Sequence, residues 1–131
     1  MKRIGIAMLA AAFSAAAAAQ SGTVPRKGGN PEAAKVKNPV AASADSVSAG
    51  KRTYARMCAK CHGPAGKGDG EAAVGAQPAD LTAPKLDYGA SDGELYSAIH
   101  DGTSKDMEGY GDRLQAGDIW NVVNYIQSLR K

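Results

Sequence analysis

The segment Cys58-Ala59-Lys60-Cys61-His62 contains the only two cysteines of this 131-residue chain. Positions three and four apart lie on one face of a helix, so a single turn places both thiols and the imidazole side by side. The preceding residues predict a helix over positions 46–57 that ends at this segment. Asp45 or Ser46 is its expected N-cap. Four residues recur along one face of this stretch: Val47, Gly50, Tyr54 and Cys58.

Two thiols and an imidazole at this spacing are typical of the covalent attachment of one haem c. Cys58 and Cys61 can add to the two vinyl groups of the haem, and His62 is then placed beneath the iron. Three other interpretations compete: a disulfide, a redox cysteine pair, which usually belongs to a βαβ unit, and a zinc site, which needs further ligands. The sequence shows no βαβ pattern and no second pair of ligands, so it favours haem c.

Haem iron takes a sixth ligand opposite the first histidine, or keeps that position open. Met57 adjoins Cys58 on the His62 side of the ring and is excluded on that ground. His100 falls within a helical stretch, where a histidine is ordinarily exposed or packed. Met107 lies among polar residues in a loop, where a role in the core is hard to assign. We therefore expect His62 and Met107 to be the axial ligands, with His100 as the alternative.

The first 19 residues have the features of a secretory signal peptide. Lys2 and Arg3 supply positive charge, an apolar run extends from Ile4 to Phe13, and small residues continue to Ala19. A retained anchor is the alternative, but the apolar run is short for a membrane span and rich in weakly hydrophobic alanine. We expect cleavage near Ala19 and a periplasmic protein without a membrane span.

Residues 20–45 have the composition of a disordered linker, with three prolines and no aromatic residue. They carry four basic and two acidic residues, whereas the following domain, residues 46–131, carries ten basic and eleven acidic residues. The linker either tethers the domain to a larger assembly or is an unused tail. The near balance of charge in the domain gives no support for nucleic-acid binding.

Two further helical stretches are separated by Gly- and Pro-rich loops. Residues 91–101 begin with a capping box, in which Ser91 accepts from the N–H of Glu94 and Glu94 reaches back to Ser91. Residues 117–130 have the most regular apolar pattern of the chain. A short helical turn is expected over residues 81–86, and no stretch has the two-residue period of a sheet. The domain is therefore predicted to be all-α, with three main helices.

The predicted core is small for a domain of 86 residues. Besides Trp120 and five tyrosines, it has fourteen Val, Leu, Ile and Met side chains. A domain of this length buries only ~60 to 65% of its unfolded surface even with a good core. An embedded apolar cofactor would supply the missing contacts, so loops wrapped around one haem are expected.

The domain resembles a class I c-type cytochrome of the small bacterial kind. The matching stretches are Gly50-x-x-x-Tyr54-x-x-x-Cys58-x-x-Cys61-His62-Gly63, Gly66-Lys67-Gly68-Asp69-Gly70, Pro78-Ala79-Asp80-Leu81-Thr82, Met107-x-x-Tyr110, and Asp118-Ile119-Trp120-x-Val122-Val123-x-Tyr125-Ile126-x-Ser128-Leu129. The resemblance implies the all-α cytochrome c fold, with the N- and C-terminal helices crossing.

The same resemblance assigns roles to individual residues. Gly50 would permit the close approach of the two terminal helices, and Tyr54 would pack near Trp120 and Tyr125. Pro64 would offer its carbonyl to His62 and so fix the imidazole ring. The sequence departs from the family beside Met107, because Asp106 and Glu108 stand where such proteins often have proline.

With His62 and Met107 both bound, the iron has no position for a substrate, so a one-electron carrier is expected rather than an enzyme. Redox partners would dock briefly on a small surface at the exposed haem edge, near Ala59 and Lys60. The alternatives are a dedicated subunit of a periplasmic oxidoreductase or terminal oxidase, and a haem sensor or peroxidase whose sixth ligand leaves.

Overall fold

The computed structural model describes residue 30 and residues 32–131. The predicted signal peptide and the first part of the predicted linker lie outside the described residues. The helices are a short 3-10 helix over Ala33–Lys35, α1 over Ala44–Met57, α2 over Ala59–His62, α3 over Asp92–Asp101 and α4 over Ala116–Leu129. The all-α prediction is confirmed, with the addition of one small antiparallel ribbon, formed by β1, Gly102–Ser104, and β2, Met107–Glu108.

The capping residues determine where helices α1 and α3 begin. Helix α1 begins earlier than predicted, because Ser43 is the N-cap and its hydroxyl accepts from the N–H of Ser46 at 3.1 Å. Asp45 and Ser46 therefore lie inside the first turn, and their prediction as caps was wrong. The capping box of α3 is confirmed, since Ser91 and Glu94 satisfy each other's N–H groups.

Helices α1 and α4 cross in direct contact and form the centre of the domain. A Cβ atom at Gly50 would overlap the carbonyl oxygen of Asn121, so only glycine permits this approach. Tyr54 packs against Tyr125 with ring centroids 5.1 Å apart, as expected. Trp120 instead stacks on Tyr96 of α3 at 4.0 Å, which ties α3 to the helix crossing.

Residues 32–43, here called the N-terminal segment, pack on the domain. Ala33 is buried, and its carbonyl lies close to Gly93 at the start of α3. The side-chain amide of Asn38 donates to the carbonyl of Trp120 at 3.2 Å and to Oδ1 of Asn124 at 2.9 Å. Asn124 in turn donates to the carbonyl of Val40 at 3.1 Å. The disordered linker was predicted to reach residue 45, which is too far, because the N-terminal segment is ordered on the domain. These amide contacts hold the segment in place although it has little apolar surface.

A long loop connects α2 to α3 without regular structure. The helical turn predicted for residues 81–86 is absent from the described chain; hydrogen-bonded turns and bends take its place. Leu81 is buried, and its carbonyl accepts from Nη1 of Arg130 at 2.8 Å. Among residues 30 and 32–131, no helix has the length and apolar character to cross a bilayer.

Candidate haem site

The cysteine segment forms a helical turn of its own directly after α1. Cys58 lies between α1 and α2, and its carbonyl accepts from the N–H of Cys61 at 3.1 Å and of His62 at 2.9 Å. Gly63 ends α2 with a φ of 76°, a conformation that favours glycine. The hydroxyl of Tyr54 donates to the carbonyl of Gly63 at 2.8 Å, so the end of the segment is fixed to the core.

A cavity of about 630 Å³ lies against this turn. Cys58, Cys61 and His62 line one part of its wall, and Met107 of β2 lines another. Much of the remaining wall is apolar and includes Tyr54, Leu81, Leu86, Leu95, Ile99 and Ile126. This volume falls within the range of pockets that bind cofactors and small ligands.

The two cysteines are free thiols in this structure. Burial, with a further contribution from Cys61, raises the pKa of the Cys58 thiol to about 12. Reactive redox cysteines have a lowered pKa, so the Cys58 environment does not suit that chemistry. Within the described part of the chain, no group of three or more His, Cys, Asp and Glu side chains is placed to hold a metal ion.

The His62 ring has a defined tautomer. Its Nδ1 lies 3.1 Å from the carbonyl oxygen of Ala79. A carbonyl can only accept, so Nδ1 carries the proton and the lone pair of Nε2 remains available to a metal.

The resemblance had assigned the carbonyl that contacts His62 to Pro64, and this assignment was wrong. Pro64 is exposed, whereas the loop folds back so that the N–H of Leu81 donates to the carbonyl of Gly66 at 2.7 Å. This return brings Ala79 beside the imidazole.

Met107 is half-buried and lies in the ribbon instead of an irregular loop. The hydroxyl of Ser104 accepts from the N–H groups of Asp106 and Met107, each at 3.2 Å, and closes the ribbon turn. Glu108, the other acidic neighbour, pairs with Arg113 at 2.7 Å.

The other two candidate ligands lie in different surroundings. Met57 also lines the cavity, but it immediately precedes Cys58. His100 is not among the residues that line the cavity; its Nδ1 contacts Oδ1 of Asp101 at 2.8 Å, and its ring stacks on Tyr96 with centroids 5.5 Å apart. The fold therefore brings Met107, and not His100, to the cavity that contains His62.

Sequence reasoning predicted loops wrapped around one haem but did not identify which loop residues line the cavity. Residues 76–81 and 85–89 line it, yet they have no periodic pattern that would mark them as buried. It also gave no role to Tyr88, whose hydroxyl donates to the carbonyl of Thr103 in β1 at 3.3 Å.

A family model described as "Cytochrome C oxidase, cbb3-type, subunit III" matches residues 45–126, well over half of the chain. The chain belongs to this family. It is a class I c-type cytochrome, and its cofactor is covalently bound haem c. The cavity of this cytochrome fits that group, since two free thiols, an imidazole with an available Nε2 and a thioether line one largely apolar space.

Solved structures show the same fold. A Kuenenia stuttgartiensis reducing HAO-like protein complex matches 75% of the cytochrome at 26% identity, with a TM-score of 0.65. Cytochrome cL of Methylophaga aminisulfidivorans matches 66% of it at 22% identity, with a TM-score of 0.56. Cytochrome cL of Hyphomicrobium denitrificans matches 63% at 24% identity, with a TM-score of 0.53. The chain spans about half the length of these structures, namely 49%, 54% and 46%.

Proposed function

We propose that this protein is an exported one-electron carrier, not an enzyme, in which Cys58 and Cys61 bind haem c through thioether bonds. His62 and Met107 are the two axial iron ligands. The observation that carries the proposal is the single cavity that all four side chains line. The proposed export rests on the predicted signal peptide, residues 1–19, with the mature protein in the periplasm.

Bound haem c supplies a ferric/ferrous couple, and the residues of the cavity set how it is used. Two protein ligands leave no position for a substrate, so electron transfer without bond chemistry is the natural activity. The carbonyl of Ala79 orients His62, and a hydrogen-bonded histidine is a more basic ligand. The thioether of Met107 is a soft ligand that favours ferrous iron and raises the potential.

The acidic residues beside Met107 are each compensated. Asp106 pairs with Lys105 at 2.9 Å and Glu108 with Arg113 at 2.7 Å, and all four side chains are substantially exposed. Uncompensated carboxylates would favour ferric iron, but paired and solvated ones act weakly. We therefore expect their effect on the potential to be small.

Redox partners are proposed to dock beside the cysteine segment, where Lys60 is exposed. The neighbouring loop is joined to this segment, because the N–H of Ala72 donates to the carbonyl of Lys60 at 2.9 Å. Two residues further on, Val74 has 92% of its surface exposed. A small, partly apolar contact surface of this kind suits short-lived encounters.

An alkaline pyridine haemochrome spectrum of the purified exported protein tests the cofactor, because it reports haem type and thioether number together. We expect a haem c with two thioether bonds. The axial ligands are tested by the weak sulfur-to-iron absorption band of the ferric protein in the near infrared. Absence of this band from the wild-type protein at neutral pH would overturn the assignment of Met107.

A second candidate function is that of a dedicated subunit of a terminal oxidase or another redox complex. Two observations favour it: the description of the matching family names an oxidase subunit, and one similar structure is described as a protein complex. Mild purification from the native membrane or periplasm separates the two candidates. A carrier elutes alone, whereas a subunit copurifies with stoichiometric partners.

A further inference from the structure

A hydrogen bond joins the two parts of the cavity wall that hold the proposed haem attachment and the proposed sixth ligand. The hydroxyl of Tyr110 donates to the carbonyl oxygen of Met57 at 3.1 Å, across 53 positions of sequence. Tyr110 follows Met107 by three residues, and Met57 directly precedes Cys58. Met57 is the last residue of α1, a position whose carbonyl lacks a partner within its own helix.

The backbone and ring of Tyr110 are fixed by contacts that do not involve Met107. Its N–H donates to the carbonyl of Ile99 at 2.8 Å, and its own carbonyl accepts from the N–H groups of Arg113 and Leu114, both at 2.9 Å. The guanidinium of Arg113 lies 4.9 Å from the ring centroid and also pairs with Glu108. The hydroxyl is therefore presented to Met57 by a preorganised side chain.

The ribbon tip is exposed to solvent. Ser104, Lys105 and Asp106 are exposed. On the β1 side, the hydroxyl of Tyr88 holds Thr103 at 3.3 Å. On the β2 side, the Tyr110 hydroxyl is the contact that ties the Met107 strand to the cysteine segment.

We propose that Tyr110 is a positioning residue for Met107. Its hydroxyl, held by the Met57 carbonyl, keeps the ribbon closed against the cavity and so limits dissociation of the Met107 sulfur from iron. This role rests on the proposed function, because it requires Met107 to be the sixth ligand. Tyr110 itself touches neither the iron nor its ligating atoms in this scheme.

Imidazole binding to the ferric holoprotein tests this role, since imidazole competes with Met107 for iron. Tyr110→Phe removes only the hydroxyl and should strengthen imidazole binding roughly fivefold, the factor that one neutral hydrogen bond is typically worth. The matched control is Tyr96→Phe, because the Tyr96 hydroxyl makes no hydrogen bond to any described residue and should leave imidazole binding within about twofold of wild type. Global unfolding is followed in parallel by circular dichroism. Lower stability of Tyr110→Phe with unchanged imidazole affinity would show a merely structural role and overturn the proposal.

The near-infrared band distinguishes this failure from that of the ligand assignment. A wild-type protein with the band, combined with unaltered imidazole binding in Tyr110→Phe, would contradict the positioning role and leave Met107 as ligand. A wild-type protein without the band would overturn both. If Tyr110→Phe does not accumulate, proton NMR of the ferrous wild-type protein tests the positioning role instead. A slowly exchanging Tyr110 hydroxyl proton close to Met57 supports the role. A rapidly exchanging hydroxyl proton contradicts it.

Discussion

Met107 and His100 lie in different surroundings. The Met107 side chain lines the cavity together with His62, whereas His100 is exposed and packs on Tyr96 beside Asp101. The His100 imidazole already has a carboxylate and an aromatic ring as neighbours. At the scale of single residues, the proposed carrier function therefore rests on the proposed ligand Met107.

Replacing Met107 by Ala should open the sixth position of the iron. We expect loss of the near-infrared band, binding of carbon monoxide to the reduced protein at neutral pH, and a lower potential, because axial ligands set the potential over a range of about 0.8 V. Met107→His should keep six ligands and also lower the potential. Survival of the band in Met107→Ala would contradict the assignment.

His100→Ala is the matched control for this experiment. It removes an imidazole of the same domain that does not line the cavity. The visible spectrum and the potential should stay as in the wild type, and a substantial change in either would identify His100 as a ligand.

At the scale of elements, the crossing of α1 and α4 decides where the cysteine segment lies. The α1 helix carries Tyr54, which is almost fully buried against Tyr125, and then delivers Cys58 to the cavity. Any separation of the two helices would move the thiols relative to the walls supplied by α3 and the ribbon. The close approach at Gly50 is thus a requirement of the site as well as of the core.

Gly50→Ala should destabilise the holoprotein by at least about 1–3 kcal/mol, the usual cost of overpacking, because its methyl group overlaps the backbone of Asn121. Gly117→Ala is the control in α4, since a Cβ there meets no atom within 4 Å. It should be neutral or stabilise by about 0.5–1 kcal/mol, because alanine is the better helix former. Chemical denaturation followed by circular dichroism measures both, and equal effects would contradict the crossing geometry.

The N-terminal segment is a second element whose packing is testable. Asn38→Ala removes three hydrogen bonds, two donated by the side-chain amide and one accepted by Oδ1 from the N–H of Val40. It also leaves Asn124 without one of its partners, and we expect a cost of about 1–3 kcal/mol. Lys35 and Lys37 are exposed beside it. We expect trypsin to cleave after these lysines faster in Asn38→Ala than in the wild-type protein. Equal cleavage rates in the two proteins would mean that the segment is not held by Asn38.

At the scale of the whole molecule, a cavity of about 630 Å³ lies where haem would supply the packing contacts. Entire domains are stable by only about 5–15 kcal/mol. Among the described residues, the largest fully buried side chains are those of Tyr54, Ile119, Val122 and Val123.

The double variant Cys58→Ala with Cys61→Ala should therefore fail to fold, because it cannot attach haem and cannot offset its chain entropy by burial alone. The exported variant should not accumulate, and any protein recovered should show no cooperative thermal transition by circular dichroism. The wild-type holoprotein, melted under the same conditions, is the control. A cooperative transition in the haem-free variant would refute the dependence on haem.

The sequence by itself determined the features that are encoded locally. Residues 58–62 specify haem attachment through the spacing of two thiols and an imidazole, and Ser91 with Glu94 specifies the start of α3. The apolar period of residues 117–130 located α4 to within one residue at each end. These signals lie within one or two helical turns, where side-chain geometry follows directly from position in the chain.

Only the tertiary structure decided the contacts between distant residues. Ala79 lies 17 positions after His62, Tyr110 lies 53 after Met57, and Asn124 lies 86 after Asn38. The first two of these contacts use a backbone carbonyl, which every residue has, and the third joins two asparagine side chains that no sequence motif marks as partners. The path by which the loops fold back onto the crossing of α1 and α4 determines which of these residues meet. The spacing of residues along the chain does not predict that path.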